Sequence, residues 1–326
     1  MIATIIQRAV MQGTPLLLGS TGEILTEKSG HLNLGIPGIM YVGAISGVTG
    51  SFLYENACSG ELNPLLAIFI PVISCLLGAA LMGLLYCFLT VTLRANQNVT
   101  GLALTTLGMG IGNFFGGSLI KLVDTDVPSI SLSKTSTIFK TQIPGVSNLG
   151  WFGEIFLSYG FLVYVAIIIA LVASHILNKT RTGLHLRAIG ESPETADAAG
   201  INVTAYKYAS TCIGSAIAGL GGLYYVMDYA NGVWSNNGFG DRGWLSIALV
   251  IFSMWRPSAS IIGSILFGFL YVIPLYIPDI TISTKILFDV LPYAVTILVL
   301  IITSIRNKKE NQPPAALGLA YFREDR

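Results

Sequence analysis

A polar stretch in the second half of the chain has the residue types of a short, capped helix. Ser192 is a favoured N-cap residue, Pro193 suits the first helical position, and Gly200 suits the residue just past the end. Glu194 and Asp197 fall in the first half, where the positive end of the helix dipole favours carboxylates. Two turns do not hold together as a free peptide, because helix nucleation is unfavourable. The pattern therefore predicts a helix braced by its neighbours, by a partner, or by both; a plain capped loop is the alternative.

The sequence lacks the motifs of catalysis and energy conversion. No GxxxxGK[ST] motif is present, so the chain cannot cradle nucleotide phosphates by itself, and no GxSxG motif is present either. The three histidines are isolated, and the four cysteines are scattered without a CxxC pair, which predicts no metal site. Acidic residues are scarce in the middle of the apolar runs, which disfavours proton coupling. We therefore expect no catalytic residue and no cofactor in this chain, and an energy source outside it.

The composition is that of a polytopic membrane protein. The chain is 53% hydrophobic and 11% charged, whereas about a quarter of the residues of a soluble domain are charged. Its 36 glycines are typical of closely packed transmembrane helices. A net charge of +1 excludes a nucleic-acid partner on electrostatic grounds.

Nine apolar runs predict membrane spans. The twelve-residue run Trp244–Trp255 is too short for an ordinary span, which predicts a short buried crossing, with a re-entrant segment as the alternative. The first run is interrupted by glycines and Pro15, and the loop 121–154 has turn-like composition. The runs lie at about 9–25, 36–54, 64–93, 99–120, 155–178, 204–228, 244–255, 258–278 and 284–305.

Four segments resemble the permease subunits of bacterial ABC importers. Arg187–Glu191, followed by 198–201, is similar to the coupling-helix loop of that family. The other three segments are 27–38, 96–104 and 313–318, so the resemblance covers essentially the whole chain. Within the superfamily of branched-chain amino acid and simple-sugar permeases, the chain most resembles the nucleoside-type branch, which is served by a substrate-binding lipoprotein.

The resemblance implies an all-α polytopic bundle of about nine transmembrane segments, some of them short or broken, like that of type II ABC importers. Residues 1–326 would form one permease domain, with a coupling loop at 179–203, an external loop at 121–154 and a cytoplasmic tail at 306–326. The 193–199 helix would dock on a separate ATPase, which would bind ATP and Mg. The residues implied for this contact are Arg187, Ala188, Gly190, Glu191, Glu194, Asp197, Ala198, Ala199 and Gly200.

A break in helical structure is predicted between residues 27 and 38. Gly30, Gly35, Pro37 and Gly38 cannot all belong to one continuous helix. Irregular backbone at membrane depth survives only against protein or a water-filled cavity, so we expect a broken segment beside the translocation path; an ordinary cytoplasmic turn is the alternative. The related permeases usually carry an acidic residue where this chain has Pro37.

Polar residues in and near the spans predict a path for a polar, uncharged solute. The candidates are the polar residues Asn33, Asn96, Asn98, Thr105 and Asn113, together with Gly35 and Gly38 of the predicted break. The spacing of Asn98, Thr105 and Asn113 does not place all three on one helix face. Hydrogen bonding between helices is the alternative role for each of them.

The charge distribution predicts the orientation. Nine spans that place the C-terminus inside put twelve of the eighteen basic residues in the cytoplasm and six outside, in agreement with the positive-inside rule. The N-terminus then lies outside the bacterial plasma membrane.

The leading hypothesis is a permease subunit of an ATP-driven nucleoside importer. The partners it implies are an ABC ATPase, a second homologous permease that need not be identical, a substrate-binding lipoprotein, the lipid bilayer and the small-molecule solute. One alternative keeps the fold and imports a simple sugar or a branched-chain amino acid. The other is an ion-coupled secondary transporter or a channel.

Overall fold

The structure is a computed structural model, which describes residues 2–58, 60–121, 130–142, 150–277, 282–306 and 312–322. Most of this part of the chain is helical. The α-helices are α1 Ile2–Glu27, α2 Ile36–Ala57, α3 Pro64–Cys87, α4 Gln97–Lys121, α5 Ser133–Phe139, α6 Gly150–Phe156, α7 Phe161–Lys179, α8 Arg181–Glu191, α9 Pro193–Ala198, α10 Val203–Tyr224, α11 Arg242–Phe252, α12 Pro257–Val272, α13 Ile282–Asp289 and α14 Leu291–Arg306. Two of them continue as π-helical turns, Phe88–Thr92 after α3 and Tyr225–Tyr229 after α10, and a 3-10 turn, Ile273–Tyr276, follows α12.

Six segments of the described residues are long and apolar enough to cross a membrane. They are Ile36–Ala57, Pro64–Thr92, Gln97–Leu119, Phe161–Lys179, Val203–Tyr229 and Pro257–Tyr276. Two shorter apolar segments, Arg242–Phe252 and Ile286–Ile302, fall below that length. The structure is therefore a helical membrane bundle, and the predicted total of about nine spans is not established.

The long first helix, α1, lies at the centre of the bundle and packs on α10, α11 and α12. Its buried side chains include polar ones, among them Gln12, Ser20 and Thr21. Gly22 allows close approach to α10, since a Cβ there would lie 2.2 Å from the Gly214 carbonyl oxygen. The glycines and Pro15 of the first apolar run therefore do not break the helix, because neighbouring helices enclose it on several sides.

Two predictions about continuity need correction. The run 284–305 is not one helix: α13 ends at Asp289 and α14 starts at Leu291, directly before Pro292, a residue that suits the first turn of a helix but not its interior. The loop 121–154 is not only turns, because its described residues include α5, part of α6 and a two-residue strand. That strand, β1 Ile130–Ser131, pairs antiparallel with β2 Val233–Trp234 and is a small departure from an all-α fold.

The two ends of α1 contact different parts of the chain. At one end, the start of α1 lies beside α6, where the Gln7 amide donates to the Glu154 carbonyl oxygen at 2.6 Å. At the other end, the residues after α1 meet α8 and the C-terminal segment, which we define as residues 312–322. Gly30 lies there against Gly190 and Ala316.

Candidate coupling and translocation site

The predicted capped helix is present as α9. The Ser192 hydroxyl oxygen accepts a hydrogen bond from the Thr195 backbone N–H at 3.4 Å, and Pro193 is the first helical residue. Gly200 has a φ of +83°, a left-handed conformation that ends the segment without a Cβ penalty. The helix ends at Ala198, so Asp197 lies in its last turn and not in its first half, where the sequence analysis placed it. Local sequence signals were sufficient to place this element.

The nine residues predicted to contact an ATPase differ in exposure. Glu191, Glu194, Ala198, Ala199 and Gly200 are exposed, whereas Arg187, Ala188 and Asp197 are partly buried. Gly190 is buried.

Gly190 has an internal role in this conformation. A Cβ there would lie 2.4 Å from the Lys28 carbonyl oxygen, so the residue lets α8 approach the end of α1. Burial lowers the pKa of the neighbouring Lys28 ammonium, and the Glu191 carboxylate opposes that shift. Arg187 to Glu191 are the last residues of α8, a helix that the sequence analysis did not predict.

Two contacts join the C-terminal segment to the rest of this end. The Ala316 N–H donates to the Gly190 carbonyl oxygen at 2.9 Å, and the Gly318 N–H donates to the Gly30 carbonyl oxygen at 3.3 Å. The C-terminal segment therefore connects the end of α8 with the residues that follow α1.

Two further contacts extend this connection to α9 and α4. The Tyr321 hydroxyl donates to Asp197 Oδ2 at 2.9 Å, and the Gln97 side-chain amide donates to the Leu319 carbonyl oxygen at 3.1 Å. Tyr321 also packs against the buried apolar cluster formed by Ile189 of α8, Ala196 of α9 and Val203 of α10. As a result, α9 is braced from several sides, as the short predicted helix required.

Residues 28–35 form the predicted break between α1 and α2. Asn33 is fully buried: its backbone N–H donates to Glu23 Oε1 at 3.1 Å, and its Oδ1 accepts from the Gly35 N–H at 2.9 Å. The Leu34 carbonyl oxygen accepts from the Thr105 hydroxyl at 2.8 Å. Side chains thus satisfy backbone groups that a helix would have paired internally.

His31 fixes this break against two helices. Its Nδ1 lies 2.9 Å from the Thr211 hydroxyl and its Nε2 lies 2.7 Å from the Thr90 hydroxyl. The ring also packs on Tyr86, whose hydroxyl donates to the Leu32 carbonyl oxygen. The sequence analysis treated His31 only as an isolated histidine without a metal site.

Glycines allow α2 and α4 to touch through their backbones. A Cβ on Gly38 would lie 2.5 Å from the Leu104 carbonyl oxygen, and a Cβ on Gly108 would lie 2.5 Å from the Gly38 carbonyl oxygen. A Cβ on Gly35 would lie 2.8 Å from the Asn33 amide oxygen. Gly35 and Gly38 therefore belong to the same packed crossing as Asn33 and Thr105.

Asn113 belongs to a second polar cluster nearer the other end of α4. The Tyr41 hydroxyl donates to Asn113 Oδ1 at 2.6 Å, and Asn113 Nδ2 donates to Asn237 Oδ1 at 3.0 Å. The Asn237 backbone N–H completes the ring by donating to the Tyr41 hydroxyl oxygen at 2.8 Å. Tyr41 and Asn237 escaped the sequence analysis, because no local pattern links them to Asn113.

The remaining two predicted path residues lie at the start of α4. Asn96 Oδ1 accepts from the Val99 N–H at 3.1 Å and so caps the helix, while Asn98 is exposed. At 1.5 Å per residue, Asn98 and Asn113 are about 22 Å apart along α4. The predicted path residues therefore form three groups rather than one lining.

Two acidic residues near the end of α1 are buried, although the sequence analysis did not single them out as a pair. Glu23 and Glu27 are both buried, with exposures of 0% and 3%, and they lie one helical turn apart. Glu27 accepts a hydrogen bond from the Trp255 indole N–H. Their spacing of four residues near the end of the first run was the available signal.

A family model provides the identification. Residues 5–300 match the model described as the permease component of the branched-chain amino acid transport system. The chain belongs to this permease family. The permease is 33% identical to the nucleoside ABC transporter permease protein NupC of Lactococcus lactis subsp. cremoris strain MG1363 over 300 residues. The aligned region covers 91% of the permease and 90% of NupC.

Two further relatives cover almost the full length of the permease. The putative glucose ABC transporter permease protein TsgC13 of Haloferax volcanii is 30% identical over 342 residues, covering 99% of the permease and 98% of TsgC13. The guanosine ABC transporter permease protein NupQ of Bacillus subtilis strain 168 is 28% identical over 333 residues, covering 100% and 98% of the two chains. The permease is therefore a multi-pass membrane subunit of an ABC transport system and a member of a transport family rather than an enzyme family.

Proposed function

We propose that the permease forms part of the translocation path of an ATP-driven nucleoside importer and is coupled to a separate ATPase through α9. The observation that supports this most directly is the position of α9. It presents Glu194 at the surface, while Asp197 on the same helix is hydrogen bonded to Tyr321. A partner that moves α9 would therefore act on a helix already linked to the rest of the bundle.

The C-terminal segment supplies a physical route for that motion. Displacement of α8 and α9 would be passed through Ala316 and Gly318 to Gly30, and through Leu319 to the start of α4. Closing of the ATPases on ATP would then shift α9 as a rigid body and tilt the bundle between outward- and inward-facing states. ATP and Mg would be bound by that ATPase.

One face of α4 suggests where the path and a second permease subunit lie. Asn98 and Thr106 are exposed, and a Cβ added at Gly110 or Gly117 would meet no atom within 4 Å. Polar side chains in a membrane helix normally face a bundle interior or a cavity rather than lipid. We therefore place a second, homologous permease against this face, identical or not, with the solute passing between the two subunits.

A nucleoside is the favoured solute. NupC and NupQ carry nucleoside and guanosine in their names, whereas TsgC13 carries glucose, so a simple sugar is the alternative with the same fold. The ring of Tyr41, Asn113 and Asn237 offers uncharged donors and acceptors that suit either solute. We expect a substrate-binding lipoprotein to deliver the solute. The solute would be identified by measuring which nucleosides, sugars or branched-chain amino acids compete with labelled uptake.

We further propose the orientation and location. The end that carries α8, α9 and the C-terminal segment would face the cytoplasm of a bacterial cell, and the start of α1 would face outward across the plasma membrane. Lys28, Arg187 and Arg256 lie around one cavity at the proposed cytoplasmic end, as the positive-inside rule favours. Cysteine labelling from either side of the membrane would test this arrangement.

The coupling assignment is tested by Glu194→Lys in the transporter assembled with its ATPase. The reversed charge should lower ATP-driven uptake to about a tenth or less while membrane insertion stays normal. Glu61→Lys is the matched control, because Glu61 is also an exposed carboxylate but lies in the loop before α3, away from α9. Unchanged uptake by Glu194→Lys would count against docking through α9.

A further inference from the structure

A polar cavity beside α9 is not part of the proposed translocation path. It has a volume of about 450 Å³, within the range of small-molecule sites. Its walls come from the π-helical turn after α3, the residues between α9 and α10, the first turn of α10 and the C-terminal segment. Thr90, Arg94, Gln97, Asp197, Lys207 and Tyr321 are among the lining residues.

Lys207 is the residue in this cavity that points to a ligand. Its side chain lines the cavity, yet the residue is only 3% exposed. Within the described ranges, no hydrogen bond or ion pair reaches its ammonium group; the bonds to this residue, from the Cys87 thiol and the Ser210 hydroxyl, end on its backbone carbonyl oxygen. The little surface that this lysine exposes is therefore at the cavity, and a cation with so little access to water is favoured by an accompanying anion.

The start of α10 provides further positive potential. Asn202 caps the Ala205 N–H at 3.0 Å, while the N–H groups of Val203 and Thr204 belong to the unpaired first turn of a 22-residue helix. Both residues line the cavity. A helix N-terminus with a buried lysine one turn further along is a favourable site for a phosphate group.

Arg94 adds a second cationic side chain to the cavity wall, with its guanidinium 4.8 Å from the centre of the Phe322 ring. Among the described residues, Asp197 is the acidic one in the lining, and its Oδ2 accepts from Tyr321. The described part of the lining therefore holds two cationic side chains and a helix N-terminus together with one hydrogen-bonded carboxylate.

We propose that this cavity binds a phosphate-bearing anion. A phosphoryl group presents the charge and the several acceptor oxygens that Lys207, Arg94 and the start of α10 together match. Its source is either a soluble phosphorylated small molecule or the headgroup of an anionic phospholipid. Asp197 of α9 and the first residues of α10 both line the cavity, so a bound anion would hold α9 against α10. An effect of this on transport rests on the proposed function, whereas binding itself does not.

Binding is measured on the transporter complex in nanodiscs of phosphatidylcholine, with inorganic phosphate and then a nucleoside monophosphate as probes. Calorimetry should show saturable binding, and the melting temperature should rise with ligand concentration. Lys207→Met should weaken binding by about tenfold or more, because a charge-assisted contact is lost. Lys179→Met is the control, since Lys179 is an exposed lysine in the last turn of α7.

Thr204→Glu provides a second variant in case Lys207→Met does not fold. Thr204 is exposed in the first turn of α10, where a carboxylate stabilises the helix but would occupy the proposed anion site. We expect this variant to keep its melting temperature without ligand and to lose the ligand-dependent increase.

Nanodiscs containing phosphatidylglycerol separate the two sources. A rise in melting temperature with phosphatidylglycerol that both variants abolish assigns the site to a headgroup, whereas binding of the soluble probes in phosphatidylcholine assigns it to a small molecule. If neither probe nor lipid has an effect, or if both variants respond like the unaltered permease, the anion site is wrong. These readouts need no transport, so they stand apart from the Glu194→Lys test.

Discussion

The Tyr321 hydroxyl donates a hydrogen bond to Asp197 Oδ2 at 2.9 Å and so joins the C-terminal segment to α9 across 124 residues of sequence. The same segment contacts Gly190 and Gly30 through its backbone. It therefore links α9 to the break after α1.

Removing the Tyr321 hydroxyl should weaken coupling as well as stability. Tyr321→Phe keeps the aromatic ring in its apolar cluster and deletes the hydroxyl that donates to Asp197. We expect a loss of about 1 kcal/mol in stability and a fall of about fivefold in solute transported per ATP hydrolysed. Tyr208→Phe is the control, since it deletes a hydroxyl of α10 that contacts Thr92 instead. Equal transport ratios in both variants would rule out a role for the segment in coupling.

Two glycines two residues apart on α4 should respond oppositely to alanine. Gly108→Ala places a methyl group where a Cβ would lie 2.5 Å from the Gly38 carbonyl oxygen and should destabilise the permease by about 1–3 kcal/mol. Gly110→Ala meets no atom within 4 Å and should be neutral or stabilise by up to about 1 kcal/mol. Melting temperatures of the two variants provide the check, measured on the permease in nanodiscs without the second permease that we place against Gly110. A shared response would mean that α2 and α4 do not pack as described.

Sequence reasoning succeeded where the signal is local. Ser192, Pro193 and Gly200 define α9 by their own conformational preferences. It failed where partners are set by tertiary packing, since Asn113 finds its partners 72 and 124 positions away in the sequence. Pro292 was a signal for the split between α13 and α14. The sequence analysis missed it because the residues on both sides of Pro292 are apolar and read as one continuous run.

The ring of Tyr41, Asn113 and Asn237 should affect the solute rather than the ATPase. Tyr41→Phe removes the donor to Asn113 and the acceptor for the Asn237 N–H. We expect the KM for uptake to rise about fivefold with little change in maximal rate. Tyr54→Phe is the control, because its hydroxyl accepts from the Asn63 N–H outside the ring. A KM unaffected by Tyr41→Phe would place the path elsewhere.

The buried carboxylates of α1 allow a direct test of ion coupling. Glu23→Gln keeps an oxygen that can accept from the Asn33 N–H but cannot release a proton. ATP-driven uptake should stay within about twofold of the unaltered level, and an ionophore should not abolish it. Loss of uptake in the variant together with sensitivity to the ionophore would favour a secondary transporter.

Accumulation in proteoliposomes tests the central claim most directly. Vesicles containing the permease with its partner permease and ATPase, supplied with ATP and the solute-binding protein, should concentrate a labelled nucleoside against its gradient. Vesicles that lack the ATPase should not concentrate it under any imposed ion gradient. Uphill accumulation by the permease without the ATPase would contradict the account.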